Sequence, residues 1–265
     1  MVKNCELIPC FDLHNVGVQL DGRQLLQPIS HTFTPGRVTG LIGHNGSGKS
    51  TLIKLLSRQP SSSYSGEIYW QQQPIEQWSA REFARHVAYL PQQLPPAEGM
   101  TVEELVTLGR YAWHGALKAV SQQDKRLVDE AIESVDLRWA KDHFVEQLSG
   151  GERQRAWLAM CVVQASHCLL LDEPTSALDI AHQKEVLQVI HQLSRQRNLT
   201  VIMVLHDINM AARFCDEFIA LRQGATIFKG DVCALMTPEQ LSAIYHVPMD
   251  VIHPDSNLPP ICYVK

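Results

Sequence analysis

The run Gly43-His44-Asn45-Gly46-Ser47-Gly48-Lys49-Ser50-Thr51 satisfies the phosphate-binding pattern G-x-x-x-x-G-K-[ST] at every fixed position. Gly43, Gly46 and Gly48 permit positive φ and a close backbone approach, so successive N–H groups can point at phosphate oxygens in front of a helix start. In this pattern Lys49 reaches the β- and γ-phosphates, Ser50 offers its hydroxyl to Mg2+ and Thr51 supports the turn. A Gly/Ser-rich turn that only caps a helix is the alternative. A second group of chemistry-bearing residues stands at Asp172-Glu173, after the apolar run Cys168-Leu169-Leu170-Leu171. Ligands of α/β sheets bind at the carboxyl ends of strands, where Asp172 suits Mg2+ and Glu173 suits orienting a water for attack on the γ-phosphate. His206 closes the apolar run 199–205 at another such strand end. Ser149-Gly150-Gly151-Glu152 opens an amphipathic stretch and repeats the geometry of backbone N–H groups at a helix start, with an ordinary capped helix as its plain alternative.

The elements that must position these residues follow from periodicity and turn chemistry. Val38 to Ile42 is uniformly apolar and predicts a buried strand, and Leu52, Ile53, Leu55 and Leu56 have helical spacing. Residues 11–37 alternate apolar and polar, with turns at Asp21-Gly22 and Pro35-Gly36, which predicts an antiparallel hairpin region. A loop is expected at 60–66, then a strand at 67–70, a short helix at 81–85 and a strand at 87–90. Pro91, Pro95 and Pro96 break regular structure after that strand and leave Gln92 at its exit. From Thr101 to about Gln147 the pattern is helical, opened by a capping-box-like start at 101–104 and interrupted at 109–115. This block has no predicted strand and reads as an insertion. After His206, segments 216–221, 224–230 and the helical 238–245 complete a small lobe. The expected organisation is one 265-residue domain: 1–96 the first part of the nucleotide-binding core with a β subdomain, 97–165 the helical subdomain, and 166–265 the second part of the core with a C-terminal lobe.

Composition limits the function classes. Lys and Arg total 23 against 28 Asp and Glu, and this net charge of -5 argues against a broad nucleic-acid footprint. Seven cysteines, at 5, 10, 161, 168, 215, 233 and 262, form no C-x-x-C pair and suit reduced thiols. No stretch approaches the roughly 18 apolar residues of a membrane span, and Met1 to Asp12 lacks the apolar centre of a signal peptide. A membrane role would therefore come through a partner.

Gly43 to Thr51, Gln92, Leu148 to Arg155, Leu170 to Pro174, Ser176-Ala177-Leu178-Asp179 and His206 together resemble the ATP-binding cassette (ABC) ATPases in order and spacing. The resemblance covers nearly the whole chain. It implies an α/β fold, a P-loop NTPase of the ABC type with an antiparallel β subdomain and an inserted helical subdomain, using ATP and Mg2+. It further implies a head-to-tail homodimer, each ATP lying between the 43–51 loop of one subunit and Ser149, Gly150, Gly151 and Glu152 of the other. In that scheme Glu173 resembles the general base, His206 the γ-phosphate switch, Asp179 the cross-subunit link and Gln92 the Mg2+ and water ligand, completing a metal set of Ser50, Gln92 and Asp172. Most cassettes stack an aromatic ring on adenine upstream of the phosphate loop. Counting from Asn15-Val16 to Gly22 places Leu20 there instead, with Phe11 as the alternative in a shifted hairpin.

The segments 89–102, 109–115, 176–183 and 205–213 resemble, more narrowly, the iron-chelate and vitamin B12 importer ATPases, and within them those of ferric hydroxamate siderophores in Gram-negative bacteria. That likeness implies a peripheral protein on the cytoplasmic face of the inner membrane, two copies under an integral permease, supplied by a periplasmic siderophore-binding protein. Tyr111 and Trp113 lie in the stretch expected to receive the permease. ATPases for vitamin B12, heme or other siderophores are the alternatives, and a soluble non-transport cassette is a further one.

Overall fold

A computed structural model of the chain describes residues 10–59, 63–115, 120–164, 167–254 and 259–265. Cys5, most of the Met1 to Asp12 start and residues 60–62 of the loop expected at 60–66 lie outside the described residues.

The hairpin predicted in the first third forms β1 (Phe11–Leu20) and β2 (Arg23–Thr32), joined at Asp21-Gly22, where both residues take positive φ as a tight hairpin turn requires. β3 (Val38–Ile42) is buried throughout and leads into α1 (Lys49–Leu56). β4 (Tyr64–Trp70), longer than expected, and the short β5 (Gln73–Pro74) join the hairpin in an antiparallel sheet of order β2-β1-β4-β5. Next come α2 (Ala80–Phe83), β6 (Val87–Leu90), α3 (Val102–Leu108), α4 (Tyr111–His114), α5 (Gln122–Glu133) and α6 (Gly150–Val163). Helices α3, α5 and α6 pack on one another as the inserted block. The stretch 109–115, expected as an interruption, contains the short helix α4.

The chain then returns to the main layer through β7 (Cys168–Leu171), α7 (Ile180–Arg197), β8 (Thr200–Val204), α8 (Ile208–Phe214), β9 (Glu217–Arg222) and β10 (Ala225–Asp231). It ends in α9 (Val232–Leu235), α10 (Pro238–Tyr245) and a hairpin of β11 (Met249–Ile252) with β12 (Ile261–Val264). The central sheet has the order β10-β9-β3-β8-β7-β6, with β6, β7, β8, β3 and β9 parallel and β10 antiparallel at the edge. Its inner strands β3, β7 and β8 are apolar at nearly every position because helices or the second sheet cover both faces. Phe11, offered as an alternative base-stacking ring, is fully buried against Phe33, Trp70 and Phe83, so it belongs to the core. The segments expected in a small C-terminal lobe divide differently: β9 and β10 extend the central sheet, and only α9, α10 and the last hairpin lie beyond it. A strand cannot leave its backbone unpaired inside a core, and β9 finds its partner in β3.

Candidate nucleotide site

The phosphate loop leaves β3 at Gly43 and enters α1 at Lys49. Gly43, Gly46 and Gly48 have φ of 130°, 75° and 105°, a region that side chains rarely occupy. At Gly43 space forbids one as well, since an added Cβ would stand 2.2 Å from the Leu221 carbonyl oxygen. Gly48 is the N-cap of α1 and offers no side chain to satisfy the first N–H groups, so those donors remain for a bound anion. Ser47 is buried, and among the described residues its hydroxyl has no hydrogen-bond partner. Lys49 is only 4% exposed and donates to the carbonyls of Gly43 and His44, both at 2.8 Å. Burial lowers its pKa, while the carboxylates of Glu173 and Asp172 act the other way and favour the ammonium.

β7 delivers the carboxylates. Asp172 is buried beside α1, and its Oδ1 accepts a hydrogen bond from Ser50 Oγ at 2.9 Å. Burial raises its pKa, with the Ser50 hydrogen bond opposing the shift. Glu173 sits one residue further on with φ 52°, in the left-handed region and immediately before Pro174, a position that disfavours it doubly. Such strain costs about 1–3 kcal/mol and persists only where the surroundings enforce it. Here they do: Gln92 Nε2 donates to Glu173 Oε2 at 2.5 Å, and His206 Nε2 lies 2.6 Å from Oε1. Both partners arrive from strand exits, Gln92 after β6 and His206 after β8, so three adjacent parallel strands converge on one carboxylate. Each carboxylate oxygen keeps a second lone pair able to accept a proton from water.

A cavity of about 530 Å³ is lined by Asn45, Gly46, Gly48, Lys49, Ser50, Thr51, Gln92, Glu173 and His206 together with Arg23 and Leu25, while Gly43, His44, Ser47 and Asp172 are not in its lining. Sequence reading missed Arg23 and Leu25. Arg23 shares a face with its cross-strand partner Leu20, but the pairing slips at Leu25, between Gln19↔Gln24 and Val18↔Leu26, so the strand period alone does not flag Leu25. Leu20 pairs with Arg23 across the hairpin and is 43% exposed. It is not among the residues that line the cavity, although cross-strand partners share a face and it therefore stands on the side of Arg23.

Ser149, Gly150, Gly151, Glu152 and Asp179 are likewise absent from the lining of this cavity. Ser149 and Glu152 instead form a capping box on α6: Ser149 Oγ accepts from the Glu152 N–H, and Glu152 Oε2 accepts from the Ser149 N–H at 2.8 Å. The Ser149 hydroxyl, and then the Ser149 N–H, interact with the Glu152 carboxylate and lower its pKa. Gly151 meets α7, where an added Cβ would come within 2.7 Å of the His182 ring. Asp179 caps α7 by accepting from the His182 N–H at 2.9 Å, and this bond, with that from the His182 ring, lowers its pKa. In the helical block, Trp113 donates to the Gln164 carbonyl at 2.9 Å between the guanidinium groups of Arg85 and Arg110, while Tyr111 is 62% exposed. Of the two aromatics Tyr111 is exposed and Trp113 half-buried.

Fold and site together define a nucleotide-binding cassette with a phosphate loop, a buried carboxylate bonded to Ser50 and a second carboxylate clamped between Gln92 and His206. The ABC transporter family profile matches residues 26–176, and the chain belongs to that family. It is 36% identical to the iron(3+)-hydroxamate import ATP-binding protein FhuC of Bacillus subtilis, over 93% of this chain and 91% of that protein. It is 38% identical to the hemin import ATP-binding protein HmuV of Shewanella denitrificans, over 94% and 98%. Among solved structures, it matches a chain of an ABC transporter in an inward-facing conformation with a TM-score of 0.84 at 23% identity, over 98% of both, a likeness of fold. It matches the dimeric cassette MJ0796 with a TM-score of 0.71 at 25% identity, over 83% of this chain and 98% of that one. ATP with Mg2+ is the nucleotide pair of such cassettes, and the residues present fit it. The Ser47 hydroxyl, without a partner among the described residues, and the uncapped α1 suit phosphate, and the oxygen donors Ser50, Gln92 and Asp172 suit Mg2+.

Proposed function

We propose that this chain is the ATP-hydrolysing subunit of a bacterial importer of ferric siderophores of the Fe(III)-hydroxamate class. It works as a homodimer under an integral permease, on the cytoplasmic face of the inner membrane, and a periplasmic binding protein supplies the cargo. The observation that carries the hydrolytic part is the clamping of Glu173 between Gln92 and His206 at the mouth of the phosphate-loop cavity. Preorganised carboxylate, lysine and backbone donors are what phosphoryl transfer to water requires. Among the described residues no helix is long and apolar enough to cross a membrane, which suits attachment through a permease. The hydroxamate assignment is supported by the narrower likeness of segments 89–102, 109–115, 176–183 and 205–213 and by the hydroxamate-import relative; the hemin-import relative favours heme as the second reading.

The test is uptake of radioactive iron by cells that lack this chain, supplied in turn with a ferric trihydroxamate, hemin and a ferric catecholate. The expected result is loss of trihydroxamate uptake alone, restored by the wild-type chain and not by Glu173→Gln. Loss confined to hemin or to the catecholate replaces the cargo, and uptake unaffected for all three removes the importer role.

A further inference from the structure

The phosphate loop has two unequal halves. Ser47, Gly48 and Lys49 are buried and held by the fold: the Gly224 N–H donates to the Ser47 carbonyl at 3.0 Å, and Gly48 lies under Leu25 and Leu26. His44, Asn45 and Gly46 are exposed. Among the described residues, His44 is the one side chain of this exposed arc that bonds to another part of the chain. Its Nε2 lies 2.9 Å from the Tyr245 carbonyl oxygen, which can only accept, so Nε2 carries the proton. Tyr245 is the last residue of α10, and its carbonyl is one of the acceptors a helix end leaves without an internal partner.

The next residue completes the contact. His246 takes φ 56° as the left-handed cap of α10, which turns its ring onto that of His44 with an interplanar angle of 15° and centroids 6.0 Å apart. Tyr245 meets the same His44 ring edge-on at 5.8 Å. Arg222, the last residue of β9, donates to the Ala243 carbonyl and to His246 Nε2, both at 3.3 Å, and so fixes which face His246 presents. β9 pairs with β3, and the Leu221 carbonyl abuts Gly43. The lobe and the loop are thus set against each other from one strand end.

We infer that the end of α10 is the clamp of the exposed half of the phosphate loop: His246, held by Arg222, positions His44 and through it the 44–46 backbone that binds ATP phosphates. The inference rests on the ATP-site reading. His246 is a positioning residue. Its loss loosens the donors that converge on phosphate, and with them the His44 carbonyl that holds Lys49, while leaving Glu173 and Gln92 in place, so it acts on nucleotide affinity more than on the chemical step.

The experiment measures ATP dissociation constants, KM, kcat and melting temperature on the full chain for His246→Ala, His246→Phe, His44→Ala and the double alanine variant. His246→Ala is expected to weaken ATP binding about three- to tenfold, with a smaller change in kcat. His246→Phe, which keeps a stacking ring, should recover most of the affinity, and the double variant should bind no more weakly than His44→Ala alone. Unchanged ATP affinity in His246→Ala beside a lowered melting temperature overturns the clamp, as does additivity in the double variant. A wild-type chain that fails to bind ATP overturns the site reading itself.

Discussion

The chain has two glycine-rich helix starts, at Gly48 before α1 and at Ser149 before α6, and they differ in what satisfies their first N–H groups. At α1 the N-cap is a glycine in the left-handed region with no side chain to offer, and a cavity with a lysine and a clamped carboxylate opens in front of it. At α6 the cap is Ser149 in a closed capping box with Glu152, and Gly151 is occupied by the His182 ring of α7. One start is left open for an anion. The other is complete as a piece of local structure, so a nucleotide role for it depends on its exposed outer face and on a second subunit. The cassette MJ0796, whose fold this chain matches, is dimeric in its solved structure.

The largest expected effect lies at the first region. Glu173→Gln should bind ATP but hydrolyse it about 100-fold or more slowly, as loss of a general base predicts; near-normal phosphate release would remove Glu173 from that role. Next comes the shared-site expectation. Ser149→Arg should abolish hydrolysis while ATP binding by the single chain stays near wild type, and mixing it with Lys49→Ala should give a dimer with one working site. Full turnover of isolated chains at high dilution would make the second region only a cap.

A stability measurement sharpens the contrast. Gly151→Ala forces a Cβ into His182 and should cost about 1–3 kcal/mol of unfolding free energy, most of it recovered by adding His182→Ala. Urea denaturation of the three variants decides whether that glycine serves packing. The smallest effect is expected at the base. Leu20 has no π face, so the site should discriminate weakly between ATP and GTP, and Leu20→Tyr should tighten ATP about fivefold, the low end for base stacking. Strong wild-type preference for ATP with no gain from tyrosine places the base elsewhere, with Arg23 the next side chain to change.

Much of this molecule was determined by local sequence. Glycines that must take positive φ, an apolar strand before them and helical spacing after them specify the phosphate loop without reference to anything distant. The buried strands β3, β7 and β8 are legible for the same reason, since a strand covered on both faces is apolar at nearly every position. Capping residues such as Thr101 and Ser149 act within one turn of their helices and were readable too. Tertiary structure alone decided what meets across long separations. It brought Gln92 and His206 onto opposite oxygens of Glu173, because three strands that are distant in sequence become neighbours in one parallel sheet. It placed β9 beside β3 rather than in a separate lobe, put Arg23 over the loop through the hairpin register, and laid His246 on His44 across about two hundred residues of chain. Periodicity records which face of an element is buried, but it carries no record of which other element buries it.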